Sequence, residues 1–471
     1  MQYQSLQAVG QLAVLYPDSI GLLIDLCMPA ALVHLTASHT CDRVKGHCLS
    51  ALINLTNPSN CSDAADVLQK HLDALLSALC ENLTSSSLEV QPVCLQLLGG
   101  IAQLAGDGFA PYYSAFMPGV KGIMCTATAP HLATLRGKAM ECVGLVGEAV
   151  GDEVFAQDAQ EVMEILLSAM GQSDDDTTFD HILPACARIS KTLGANFRPF
   201  LPLVMPPMLA GALQEISFSM VDAEEGDDEG ENVYDEETGT ESAVISMGAG
   251  IKKRVTLNTH AVQKKNQCGR MIYEFAANMK GHLQEYLLPC VQATLPMVLD
   301  KHYSEIRSSA SLALVKLFEA GIDATRLGFL PPAALQELLE SILDQLLLAV
   351  KGEINASSRI CAADAMRDVV EACFLSGTEA AVDGSRGQFM ALPSAAWSRL
   401  AVQHLMAKCQ ESVVRREDKI RAFEQNEGLE GGEDEESFAE ELEEEEDLLA
   451  TLVDALGFLL KLHGEPFMEL I

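Results

Sequence analysis

The stretch from Phe109 to Gly151, FAPYYSAFMPGVKGIMCTATAPHLATLRGKAMECVGLVGEAVG, constrains the fold more than any other part of the chain. Its apolar residues recur at the spacing of two helices. Phe109, Tyr113, Phe116, Met117, Val120, Ile123 and Met124 follow steps of three and four, which puts them on one face of a first helix. Leu132, Leu135, Ala139, Val143, Val146 and Val150 make the same kind of stripe on a second, with Arg136, Lys138, Glu141 and Glu148 off it. Ala129-Pro130 separates the two, because a residue before proline is pushed out of the α region. A single pair buries too little apolar area to offset the entropy of ordering, so similar pairs must cover it on both sides.

The rest of the sequence supplies those neighbours. Phe109 and Pro118 recur as Phe197 and Pro206, a step of 88 residues, or two units of about 44. This period predicts an all-α fold, a HEAT-repeat (armadillo-like) right-handed superhelical solenoid carrying two acidic insertions. Pro118, Pro206 and Pro289 fall inside first helices, where a lost backbone donor bends the helix. Second helices carry an arginine in their first turns, at Arg43, Arg136, Arg307 and Arg359. The expected organisation is repeats over 1–214, an acidic insertion and basic run over 215–255, repeats over 256–426, an acidic insertion over 427–447 and a truncated repeat over 448–471. Gln2 to Leu15 reads as the second helix of a unit already begun, so both ends look cut.

Charge narrows the classes of partner. With 67 acids against 31 bases the formal net charge is −36, which repels nucleic acid and anionic membranes and favours basic partners. Ten acids lie between Val221 and Gly239, beginning Asp222, Glu224, Glu225, Asp227, Asp228 and Glu229, and thirteen lie between Glu427 and Asp447. Segments of that composition cannot bury a core, so each is expected to be a solvated, mobile insertion that keeps the chain soluble or captures Lys/Arg-rich ligands. The run Lys252-Lys253-Arg254 neutralises its acidic neighbour. Sustained β-branched alternation is absent, and aromatic content is 5%, which speaks against a sheet.

Enzyme chemistry finds no footing. Gly248 to Lys253 lacks phosphate-loop spacing, the eleven histidines are dispersed, and no serine sits in a nucleophile elbow. The fourteen cysteines form no C-x-x-C pair or zinc-type cluster, and read as small buried thiols of a reducing compartment. No enzyme activity, cofactor or metal is therefore expected. Nor is membrane insertion, since no apolar run of about 18 residues is free of polar breaks.

Specificity then falls to the ordered repeats. Polar residues off the core face of second helices, Glu141, Glu148 and Asp364, are candidates to meet a ligand, and Asp174, Asp175, Asp176 and Asp180 add charge at a rim loop. A lysine-rich extended peptide could lie along such a surface through charge-assisted hydrogen bonds.

Several segments together carry a family resemblance. They are Ala8-Val9-Gly10-Gln11, Ala51-Leu52-Ile53-Asn54, Phe109-Ala110-Pro111-Tyr112-Tyr113 with Phe116-Met117-Pro118, Leu135-Arg136-Gly137-Lys138 with Glu141-Cys142, and Ala149-Val150-Gly151. Gln157-Asp158-Ala159 with Glu161-Val162-Met163, the Asp174 to Asp176 triplet, and Phe200-Leu201-Pro202 with Val204-Met205 continue the series. In order and spacing they resemble the middle of the importin-beta (karyopherin-beta) nuclear transport receptors. The resemblance implies a monomeric carrier that shuttles between cytoplasm and nucleus. It would bind basic nuclear-localisation segments of cargo proteins, touch Phe-Gly nucleoporins and release cargo to the GTP-bound Ran GTPase, with no direct nucleic-acid contact. It also implies that the amino-terminal repeats forming the main Ran-binding arch, and the carboxy-terminal arch, lie outside this sequence. The alternative is a non-transport HEAT-repeat assembly scaffold, whose apolar contacts would resist salt where lysine-rich cargo would dissociate.

Overall fold

A computed structural model of the chain describes residues 20–37, 39–56, 64–85, 87–172, 176–216, 218–222, 232–235, 240–246, 252–353, 355–382, 391–425 and 432–463, with Ala8 and Gln11. Apart from Ala8 and Gln11, the helix expected over Gln2 to Leu15 lies outside the described residues. The chain divides into two compact units, Met1–Val204 and Met205–Ile471.

The first unit holds α1 (Ile20–Thr36), α2 (Asp42–Leu55), α3 (Ala64–Gln69), α4 (Leu72–Ser85), α5 (Gln91–Ala105), α6 (Tyr113–Thr126), α7 (Ala133–Gln172) and α8 (Asp176–Leu193). The stripes that the spacing predicts are the core: Phe109, Phe116, Met117, Val120, Met124, Leu135, Ala139, Val143, Val146 and Val150 are all buried. Phe109 sits on a 3-10 turn, Gly106–Tyr112, ahead of α6, and Gly194–Phe200 repeats that turn 88 residues later. Second helices pack on one another in sequence, α2 on α5, α5 on α7 and α7 on α8. Two glycines set the closeness of that layer. A Cβ at Gly99 would fall 2.6 Å from the Leu145 side chain, and one at Gly137 would fall 2.2 Å from the His181 ring.

The period is written in the backbone. Gly106 (φ 51), Gly151 (φ 75) and Gly194 (φ 50) stand at successive repeat boundaries, and at Gly151 the chain turns within α7, so its two halves belong to consecutive repeats. Gln91 to Thr126 is apolar and long enough to cross a membrane by composition alone. Here it is two helices separated at Gly106, with Leu95, Leu97, Leu98 and Ile101 buried in the core.

The second unit contains α10 (Thr259–Met279), α11 (Gln284–Val298), α12 (Ser304–Arg326), α13 (Pro332–Gly352), α14 (Ala356–Val382), α15 (Ala395–Gln425) and α16 (Gly432–His463), and the division from the first falls within α9 (Leu201–Leu213). Second helices again form one layer, α10 on α12, α12 on α14 and α14 on α16. The recurrent arginines close the first helix of their own pair. Arg136 Nε donates to the Met124 carbonyl at 3.0 Å, Arg307 Nη1 to Asp300 at 2.9 Å, and Arg359 Nη2 to Glu353 at 2.7 Å. Each thus supplies a donor to a carbonyl that helix geometry leaves without one.

Two expectations are corrected. Within 215–255 lies a four-stranded antiparallel sheet, β1 (Phe218–Asp222), β2 (Asn232–Asp235), β3 (Thr240–Ser246) and β4 (Lys252–Asn258), in the order β1-β4-β3-β2. Val244 and Ile245 of β3 and Val255 and Leu257 of β4 are strand formers, and Ser242 bonds Thr256 across that pair at 3.0 Å. The basic run is therefore a central strand, and α10 begins only at Thr259, where Asn258 Oδ1 accepts from the Ala261 amide. Acidic residues 432–447 are likewise helical, forming the first half of α16.

Candidate functional site

Most of the expected carboxylates that the structure describes already hold a cation. On α7, Glu141 is paired with Lys138 at 2.9 Å and Glu148 with Lys191 of α8 at 2.6 Å, both carboxylates being half-buried. Asp180 is exposed on α8. Beside it His181 is half-buried, and burial holds its pKa below the usual histidine value against the pull of Glu141. Asp176 opens α8, whereas Asp174, Asp175 and the Asp176 side chain lie outside the described residues. In the second unit Asp222 is exposed on β1 and ion-paired to Lys253 of β4 at 2.6 Å, which lowers its pKa. Glu224, Glu225, Asp227, Asp228 and Glu229 lie outside the described residues.

The densest acidic arrangement is built around Asp364. On α14, Arg367 bonds Asp364 at 2.6 Å and Asp368 at 2.8 Å, while Thr451 of α16 donates to Asp364 at 3.0 Å. Asp454, one turn along α16 from Thr451, adds a third carboxylate near the same guanidinium. Partial burial opposes the charge of Arg367, but Asp368, Asp364 and Asp454 outweigh it and raise its pKa. Three carboxylates to one arginine leave a surplus of two negative charges at a half-exposed junction of two second helices. The sequence reading found Asp364 but missed Asp368 and Asp454. The i, i+4 spacing of Asp364 and Asp368 was the available signal; Asp454 required the packing of α14 on α16.

Among the described residues no group of His, Cys, Asp and Glu is placed to hold a metal ion. Burial pushes the Cys48, Cys94, Cys142, Cys186, Cys290 and Cys373 thiols up to about 12, so they are packing groups rather than nucleophiles. A cavity of about 40 Å³ lined by Leu68, Leu72, Leu104 and Gly108 has room for a water or two, not a cofactor.

Known proteins similar to this chain share its fold. The chain is 26% identical to importin subunit beta-3 of Saccharomyces cerevisiae over 320 residues, which are 67% of this chain and 28% of that protein. It is 31% identical to a probable importin-5 homolog of Dictyostelium discoideum over 243 residues, 52% of this chain and 20% of that protein. The crystal structure of Kap121p bound to Pho4p superposes with a TM-score of 0.77 at 20% identity, covering 99% of this chain and 40% of the other. The chain is similar to importin-beta family proteins. No protein-family model matches it. The chain spans about a quarter of the length of the curated relatives it matches, and its fold is the HEAT-repeat solenoid seen in karyopherin structures.

Proposed function

We propose that this chain is the cargo-binding part of a nuclear transport receptor that takes basic, lysine-rich nuclear-localisation segments. The observation that carries the reading is the match of its fold, over 99% of the chain, to Kap121p bound to Pho4p. Other structures of Kap121p hold Nup53p and the extreme C-terminus of the protein phosphatase Cdc14p, which supports cargo and nucleoporin partners for this chain as well. The net charge of −36 and the Asp364, Asp368 and Asp454 junction favour a cationic ligand. In a complete receptor, cargo captured in the cytoplasm would be carried through the pore and released to GTP-bound Ran in the nucleus. Neither step needs bond chemistry, which fits a binding protein rather than an enzyme.

The test is fluorescence anisotropy of a labelled lysine-rich peptide against the chain at low and physiological salt, with and without residues 221–239. Micromolar or tighter binding that weakens with salt and survives the deletion is expected. Asp364→Lys with Asp368→Lys should weaken it about tenfold or more. Binding indifferent to both salt and these substitutions would point away from basic cargo.

A further inference from the structure

One large apolar side chain stands on the open face of α12. Leu312 is 45% exposed, although Ala310, Ser311, Ala313, Leu314 and Val315 around it are buried. Glu305 and Glu319, seven residues to either side, share its face and make it the apolar point of a polar row. An exposed leucine alone means little; its neighbours on the adjoining second helices give it meaning. Ser358 donates to the Ser304 carbonyl at 3.4 Å and Cys361 to that of Ser308 at 3.5 Å, which fixes the register of α14 beside α12. One turn further, Leu312 is level with Asp364, and Asp368 follows one turn along α14, both half-exposed. On the other flank a Cβ at Gly269 of α10 would fall 3.0 Å from Ser309, which sets the half-buried Tyr273, one turn on, beside Leu312.

Charge and spacing decide what fits across these helices. The ion pair nearest Leu312 on α12, Lys316 with Glu319 at 2.7 Å, is balanced, whereas three carboxylates share Arg367 at the α14–α16 junction. A cation is therefore drawn to α14 and leaves the α12 position to an uncharged group. Packed helices lie about 8 to 10 Å apart, so the apolar and acidic points are separated by roughly that distance. In a polyproline II segment, residues three apart project the same way at a spacing of about 9 Å. We propose that Leu312 is a specificity-determining residue, against which an extended basic segment packs an aliphatic side chain three positions from the lysine or arginine held at Asp364 and Asp368. This rests on the reading of those two carboxylates as a cargo site, and adds a requirement that charge alone does not impose.

Three labelled peptides of equal charge, compared by fluorescence anisotropy on the full chain, test it. The first carries leucine three residues to either side of a central lysine, the second has serine at those positions, and the third has the leucines moved to flank the lysine directly. The first should bind about tenfold more tightly than either of the others, the scale of burying one leucine side chain. Leu312→Gln should abolish that preference and Leu312→Met should keep it, with the parent melting temperature retained in both because the position is exposed. Equal binding of the three peptides, or a preference that survives Leu312→Gln, would overturn the proposal and leave the cargo reading of Asp364 and Asp368 in place. Failure of all three to bind the unmutated chain would overturn both.

Discussion

Lys280 carries the clearest local strain. It is the non-glycine residue of the described chain with positive φ, at φ 48 and ψ −133, and Gly106 takes nearly the same angles, φ 51 and ψ −131, at the equivalent end of a second helix. A side chain in that region costs on the order of 1 kcal/mol. Lys280→Gly should therefore stabilise the second unit by about 1 kcal/mol, seen as a later urea midpoint. The helix-closing arginines work in the opposite sense: Arg136→Ala strands the Met124 carbonyl and should cost about 1 kcal/mol in the same measurement. Glu445 makes stability depend on pH. Its burial alone would raise the carboxyl pKa, but bonds from Arg415 at 2.7 Å and Ser412 at 2.6 Å prevail and lower it. Stability from the ionised carboxylate is then complete above the unfolded value of about 4.5 and is lost as pH falls through the folded one. Glu445→Gln should be less stable than the parent at pH 7, and the gap should narrow as pH falls below about 4.5.

At the scale of elements, the end of the described chain is an antiparallel pair of long helices, α15 and α16. Arg415 meets Glu445, Arg416 meets Glu446, Lys419 meets Glu441 at 3.0 Å, and Phe423 stacks on Phe438 at 4.1 Å, a single register across four positions. The ring pair holds the far end, so Phe423→Ala should speed hydrogen exchange in 432–441 while leaving 448–463 unchanged. The register also explains a misreading. Thirteen acids look incompatible with a packed element when read as one segment alone, while the cations that accommodate them sit on α15. The sheet escaped for a similar reason, since strands of four to seven residues are short and the acids around them dominate the composition. Helices such as α6 and α7 were legible because their stripes depend only on local spacing, and that spacing is what the core buries.

For the whole molecule the governing quantity is charge. A net charge of −36 on 471 residues repels itself, and salt within the physiological range screens charges beyond about 8 Å. Raising sodium chloride from about 10 to 150 mM should therefore raise the melting temperature, the reverse of its expected effect on cargo affinity. The candidate site was legible only in part. Glu141, Glu148 and Asp364 could be placed on second helices from periodicity, but Lys138, Lys191 and Arg367 as their partners belong to rotamers and neighbouring repeats that spacing does not encode. Those internal cations change the nature of recognition. If the proposed cargo used Glu148, an arriving ammonium group would not fill an empty seat; it would have to evict Lys191, whose own charge must then find water. Docking becomes an exchange of counterions within the protein, so fewer salt ions are set free per contact. The steepness of the salt response would then count only the carboxylates without an internal cation, so a strongly acidic surface need not give strongly salt-dependent capture.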